Sequence, residues 1–215
     1  MKKLLVMLIC VALSLSLMAC DFIPLDDALD FVEDLFKGGS SSESLLYEFD
    51  DSSKTFTVTG IGTYTDAHVV IPDTHNGYPV VAIGERAFAG CSSLTSVTIP
   101  DSVTTIGNSV FSCCSSLTSV TIPDSVTAIG DYAFEYCSSL TSMTIPDSVT
   151  AIGDDAFSYC SSLTIVIFED PTGWWYADSA DATSGTAISE SKLTNVSTAA
   201  SYLRNHYCYK YWFKD

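Results

Sequence analysis

Positive charge is scarce in this 215-residue chain: 9 Lys and Arg stand against 26 Asp and Glu, for a formal net charge of −17. Charged residues of both signs reach only 16%, well under the usual quarter. Nucleic acids are held through their phosphates by Lys and Arg, so this composition excludes a nucleic-acid partner. Disorder requires low hydrophobicity together with high charge. Here hydrophobic residues reach 47% and mean hydropathy is +0.28. Histidine is rarer still, with His68, His75 and His206 scattered along the chain. There is no HExxH, no GxSxG, no phosphate-binding glycine loop and no paired carboxylate outside turns. No enzyme activity is therefore expected, nor any metal or cofactor. The N-terminal apolar stretch, Leu4 to Ala19, is 16 residues, short of the roughly 20 that span a bilayer. What fills the chain instead is Ser and Thr, which solubilise it without charge.

Met1-Lys2-Lys3, the apolar stretch and the small residues before Cys20 predict a signal peptide over residues 1–19. Leu17-Met18-Ala19-Cys20 resembles the bacterial lipobox, which implies cleavage before Cys20 and lipidation of its thiol. Two or more acyl chains would anchor the protein stably in a cell-envelope membrane. Loss of Lys2 and Lys3 leaves 7 bases against 26 acids, or −19. Residues 20–46 read as an acidic Gly/Ser linker. Leu25, Leu29, Val32 and Phe36 fall at helical spacing, and Gly38-Gly39-Ser40-Ser41-Ser42 forms a flexible spacer.

The centre is a tandem array with a 23-residue period. Ile83, Ile106, Ile129 and Ile152 keep it, each followed by Gly. So do Phe88, Phe111, Phe134 and Phe157, Leu94, Leu117, Leu140 and Leu163, and Cys91, Cys114, Cys137 and Cys160. A fixed period of this length marks a solenoid whose units cannot bury their apolar faces alone. Leu94-x-x-Val97-x-Ile99 predicts a strand ended by Pro100. Val103 and Ile106 return the chain to the core, and Gly107 is expected to permit a tight bend. Phe111 is the second large core residue, behind a short turn or helical piece.

The repeated "AFxxCSSLTSVTIPDSVTxIG" closely resembles the BspA-like leucine-rich repeat of bacterial surface proteins. The resemblance extends over residues 47–215. It implies a short right-handed β-solenoid of 23-residue coils: a capping coil over 47–82, repeats over 83–170, and a small α+β cap over 171–215. In the first coil five extra residues lie around Asn76-Gly77, a hairpin-turn pair. The resemblance also implies a non-enzymatic, surface-exposed protein. Its partner would be a protein ligand on a host or neighbouring cell, and its membrane contact would run through the N-terminal lipid.

Several repeated residues are candidates for chemistry. Ser96, Thr98, Ser119, Thr121, Ser142 and Thr144 point outward from the strands. They form either a solvated face or a docking strip. In the last coil Ile165 and Ile167 take these positions, and residues after Pro171 are expected to fold back over them. Asp101, Asp124 and Asp147 are read as turn residues whose side chains bond their own backbone. The cysteine column spans too much length for one zinc ion, so a buried thiol ladder is expected. Disulfides at Cys113 or Cys208 stay open. Trp174 and Trp175 are candidates for an aromatic platform that binds carbohydrate, against a plain capping role. The alternative to a binding protein is a structural envelope lipoprotein, or surface antigen, without a specific ligand.

Overall fold

A computed structural model describes residues 45–215. The predicted signal peptide, Cys20 and nearly all of the linker lie outside the described residues.

Each coil carries a short strand, preceded in all but the first by an inward Leu. These strands are β3 (His68–Val70), β6 (Ser96–Thr98), β8 (Ser119–Thr121), β10 (Ser142–Ile145) and β12 (Ile165–Phe168). They stack in parallel, with Val69 on Val97 on Val120 in one sheet and Met143 on Val166 in another. Inward residues are buried and outward ones exposed, the alternation that a half-buried strand imposes. The proline turn then closes through a backbone bond, as from Val126 N to Pro123 O at 3.0 Å.

A second ladder lies where only a return to the core was expected. Its strands are β5 (Tyr78–Ile83), β7 (Thr105–Ile106), β9 (Ala128–Ile129) and β11 (Ala151–Ile152), paired in parallel. At its leading end β5 pairs with β2 (Thr55–Gly60), itself in an antiparallel hairpin with β1 (Leu46–Asp50). The Asn76-Gly77 turn joins β4 (Thr74–His75) to β5. Both its residues have positive φ, 50° and 78°, as a two-residue hairpin requires.

The remainder of each coil is a run of tight turns rather than a helix. Alternate amides donate to the following coil: Ser109 N to Asp131 O, Phe111 N to Ala133 O, and Cys113 N to Glu135 O, all at 2.7–2.8 Å. Two residues per coil adopt left-handed φ near 50–62° to aim these groups: Arg86, Ser109, Tyr132 and Asp155, then Cys113, Tyr136 and Tyr159, with Gly90 at 75°. Inside, the Phe column stacks face to face with ring centroids 5.2–5.5 Å apart. All four rings are fully buried, and each pair adds about 1 kcal/mol beyond area burial.

The repeated glycine differs from its expected role. Gly107, Gly130 and Gly153 are absent from the positive-φ residues. They are needed because coils approach closely there: a Cβ on Gly130 would sit 2.6 Å from the Gly107 carbonyl carbon.

The cap is β13 (Trp174–Ala177), β14 (Thr186–Ala187), α1 (Glu190–Leu193), α2 (Val196–Ser201), a π-helical turn (Tyr202–His206) and β15 (Tyr211–Lys214). β15 pairs antiparallel with β11 and covers the open edge of the second ladder, and β13 pairs with β15 in turn. Asn195 caps α2 by accepting from Thr198 N at 3.0 Å. Ala199, Ala200 and Leu203 are buried beneath it.

Candidate binding face

The outward positions of these five strands, grouped as β3-β6-β8 and β10-β12, form the candidate face. His68, Ser96 and Ser119 are in register, as are Val70, Thr98 and Thr121. Ser142 lies beside Ile165, and Thr144 beside Ile167. All six predicted hydroxyl residues are exposed or half-exposed. At the leading end His68 joins the strip, its Nδ1 2.6 Å from Ser96 Oγ.

Ile165 and Ile167 remain 44% and 46% exposed. Residues after Pro171 do fold back, but they cover the end of the solenoid rather than its face. What they pack on is the inward Phe168, which meets Trp174 and Trp212. An apolar patch therefore closes one end of the hydroxyl strip, with Val70, 50% exposed, at the other.

The strip is not evenly spaced. β8 ends one sheet and β10 begins the next, and the two do not pair. Elsewhere the residue before each strand bonds the coil before it, as in Thr118 N to Thr95 O and Thr164 N to Thr141 O. Among the described residues the equivalent bond from Thr141 to Thr118 is absent. The break falls where the column Val69, Val97, Val120, Val166 carries Met143 instead. A cleft of about 420 Å³ opens there, lined by Ser119, Thr121, Asp124, Ser142, Thr144 and Glu169 among others.

Other sequence candidates sit elsewhere. Trp174 is 2% exposed, and its Nε1 donates to Asp170 O at 3.0 Å. It presents no platform, because its ring is core of the cap. Trp175 is half-buried, stacked on Phe213 at 4.6 Å, with Nε1 donating to Asp215 Oδ1. An exposed aromatic pair lies on the turn side instead: Tyr136 and Tyr159 stack at 4.4 Å with parallel planes. Tyr136 and Tyr159 share one repeat position, but Gly90 and Cys113 in earlier coils hide the column from a period search.

The thiol ladder forms over three of its four expected members, and Cys91 at the leading end is only half-buried. Cys114, Cys137 and Cys160 are buried, and each Sγ donates to a Phe carbonyl of the preceding coil at 3.0–3.1 Å. Burial pushes Cys114 and Cys160 up to about 12, and Cys137 further. All six described cysteines are free, Cys113 and Cys208 included.

The turn aspartates do not bond their own backbone as expected. Beside Asp124 and Asp147 the adjacent Ser does the stitching: Ser125 Oγ donates to Val103 O at 2.5 Å and Ser148 Oγ to Val126 O at 2.8 Å. Among the described residues no group of three or more His, Cys, Asp or Glu is placed to hold a metal ion.

These columns are those of a known repeat. A BspA-type leucine-rich repeat region, in six copies, matches residues 67–173. The chain is a BspA-type leucine-rich repeat protein. The crystal structure of the T. pallidum leucine-rich repeat protein is 33% identical, with a TM-score of 0.55. The match covers 59% of this chain and 59% of that one. A leucine-rich repeat protein from Bacteroides ovatus is also 33% identical, over 59% of this chain and 40% of its own, with a TM-score of 0.44. One from Bacteroides capillosus is 26% identical over 61% of this chain and 98% of its own, with a TM-score of 0.49. The BspA-type chain thus spans about three fifths of the T. pallidum protein and two fifths of the B. ovatus one. No curated protein matches it. As a leucine-rich repeat solenoid, the chain has the architecture of a protein-interaction scaffold.

Proposed function

We propose that this protein is a non-enzymatic, lipid-anchored surface protein whose strand face binds a protein ligand. The observation that carries this reading is the composition of the face. Hydroxyls fill its middle coils, and Ile165 and Ile167 stand exposed at its end. A strip left only for solubility has no reason to end in two open isoleucines, whereas apolar anchors rimmed by polar groups are what an interface offers. The family supports a surface setting, as do the lipobox-like Leu17–Cys20 and the Gly/Ser spacer that would hold the solenoid off a membrane. Adhesion to a host or neighbouring cell fits that placement.

The experiment is affinity capture from host-matrix and same-species envelope extracts, with wild type beside the double variant Thr98→Arg/Thr121→Arg. Both sites are exposed, so the variant keeps its circular dichroism spectrum. Capture of a protein by wild type and not by the variant supports the reading. Equal capture by both refutes it.

A further inference from the structure

Carboxylates border the strand face along one side. Asp73, Asp101, Asp124 and Asp147 each follow the proline that ends the face strand of their coil, so they form a row beside it. All four are exposed, and none belongs to an ion pair among the described residues. Asp124 and Glu169 line the same cleft as Ser119, Thr121, Ser142 and Thr144, which sets them at the edge of the hydroxyl strip.

Little positive charge offsets this row. Residues 83–170 hold 10 acids and a single base, Arg86, which pairs with Glu85 at 3.1 Å. Lys214 stands at the trailing end of the row, but the Asp170 carboxylate holds it at 2.8 Å and Asp147 O at 3.2 Å. The open sheet face thus combines hydroxyls, one unneutralised acidic side and apolar ends, with Val70 at one and Ile165 and Ile167 at the other. Nucleic acid and anionic lipid carry the wrong sign for it. A basic protein surface that also offers apolar side chains is its complement.

Spacing narrows the partner further. Coils stack about 4.8 Å apart, so the carboxylates recur at about that interval. Side chains along one side of an α-helix recur about every 5.4 Å. Same-side residues of an extended strand recur about every 6.8 Å. A lysine row on a helix therefore stays nearly in step with the carboxylates, within reach of the flexible lysine stem. A strand falls out of step by about 2 Å at each coil. The five face strands span about 19 Å, a length that a helix of about 14 residues covers.

We propose that the strand face binds a basic amphipathic helix of the protein ligand, laid across the strands. Its lysine or arginine row lies over the carboxylates, and its apolar side chains meet Ile165 and Ile167. The inference rests on the face reading given above and assigns the partner's chemistry.

The test uses the full-length protein and a fluorescein-labelled helical peptide of about 14 residues, with leucine on one side and a lysine row beside it. Binding is read by fluorescence anisotropy. One control peptide carries glutamate in place of lysine, and a second alternates lysine and leucine at strand period. The helical lysine peptide should bind about tenfold or more tighter than either control, and added salt should weaken it. Asp101→Lys/Asp124→Lys should lower its affinity about tenfold or more. Both sites are exposed, so that variant folds. Asp181→Lys/Glu190→Lys, at exposed sites on the cap, changes the formal charge equally and should alter affinity less than about twofold. Ile165→Ser/Ile167→Thr should lower it about tenfold. That variant installs the residues of the preceding coil, so it folds. The proposal is overturned if the helical lysine peptide does not bind, if either control peptide binds as tightly, or if the cap variant loses as much as the carboxylate variant. It is also overturned if the isoleucine variant binds as wild type does. Failed peptide binding, with capture still lost in Thr98→Arg/Thr121→Arg, sinks the helix inference and leaves the face reading standing. Capture that ignores Thr98→Arg/Thr121→Arg sinks the face reading and this inference with it.

Discussion

Replacing Gly130 by Ala should damage this fold far more than the same change at Gly90. A Cβ on Gly130 would lie 2.6 Å from the Gly107 carbonyl carbon and 2.7 Å from Asn108 N. Ordinary contact begins at 3.4 Å, so the coils must part by about 0.8 Å. They resist, because Gly130 N donates to Ile106 O at 2.9 Å and Asp131 N to Asn108 Oδ1 at 3.0 Å. Overpacking costs about 1–3 kcal/mol, and two stretched hydrogen bonds cost about 1 kcal/mol each. The sum is about 3–5 kcal/mol. Gly90 has φ +75° and nothing within 4 Å of its would-be Cβ. Its cost is only that of a left-handed side chain, about 1–2 kcal/mol. Cys113, Tyr136 and Tyr159 already adopt that conformation at the same repeat position. In urea, with a slope of about 2 kcal/mol per molar, the unfolding midpoint should fall by about 1.5–2.5 M for Gly130→Ala and by under about 1 M for Gly90→Ala. Circular dichroism measures both. Equal shifts, or a larger one at Gly90, would refute the close stacking of coils.

Two further predictions concern titration. Thiol labelling at pH 8, mapped by mass spectrometry, should modify exposed Cys113 quickly. It should leave Cys114, Cys137 and Cys160 untouched until the protein unfolds, because burial holds these thiols protonated. Stability should peak at mildly acidic pH. The Glu135 and Asp154 carboxyls are pushed up, first by burial and then by the charge of Asp155. Their contribution is complete below the ordinary carboxylate pKa and is lost as pH rises through the raised values. Asp50 and Asp170 act in the opposite sense. Ser52 hydrogen bonds hold Asp50 down to about 2, and Lys214 and Thr172 hold Asp170 lower still. What these two contribute is present above about pH 4 and fades as pH falls through their own values. Thermal melts from pH 8 to pH 2 check the sign on both sides. A monotonic loss of stability from neutrality downward would contradict the assignment for Glu135 and Asp154.

The period was legible because each coil buries the same residues. Any column of Leu, Ile, Phe or Cys must therefore repeat in the sequence. That logic gives the solenoid, the strand at Leu94–Ile99, the Asn76-Gly77 hairpin and the thiol ladder. It does not say which backbone group bonds which. The second ladder at Thr105–Ile106 and the turn ladder of Ser109, Phe111 and Cys113 are carried by main chain, and any residue type supplies an amide. Left-handed Tyr132 and Tyr136 carry no sequence mark, since glycine is the usual signal for that conformation. Gly130 did carry a mark, but its cause is the neighbouring coil rather than its own bend.

The binding face was half visible. Alternation placed the six hydroxyl residues outward, and the structure puts them there. The open isoleucines and the cleft were not readable. Ile165 and Ile167 stay open because the cap docks on the solenoid's end through Phe168, Trp174 and Trp212. The cleft turns on one departure from the repeat, Met143, in a column otherwise of valine. Departures of this kind are where a repeat protein acquires a local site, since every faithful copy presents the same surface.

The central claim is that the strand face, and no other surface, engages a protein ligand. It is tested most directly by comparing captured protein across wild type, Thr98→Arg/Thr121→Arg, and Thr105→Arg. Thr105 is exposed on the second ladder, so Thr105→Arg adds a positive charge away from the face. The account predicts that wild type and Thr105→Arg capture the same protein and that the double variant captures none, with all three equally folded. Retained capture by the double variant, or loss in Thr105→Arg alone, would contradict it.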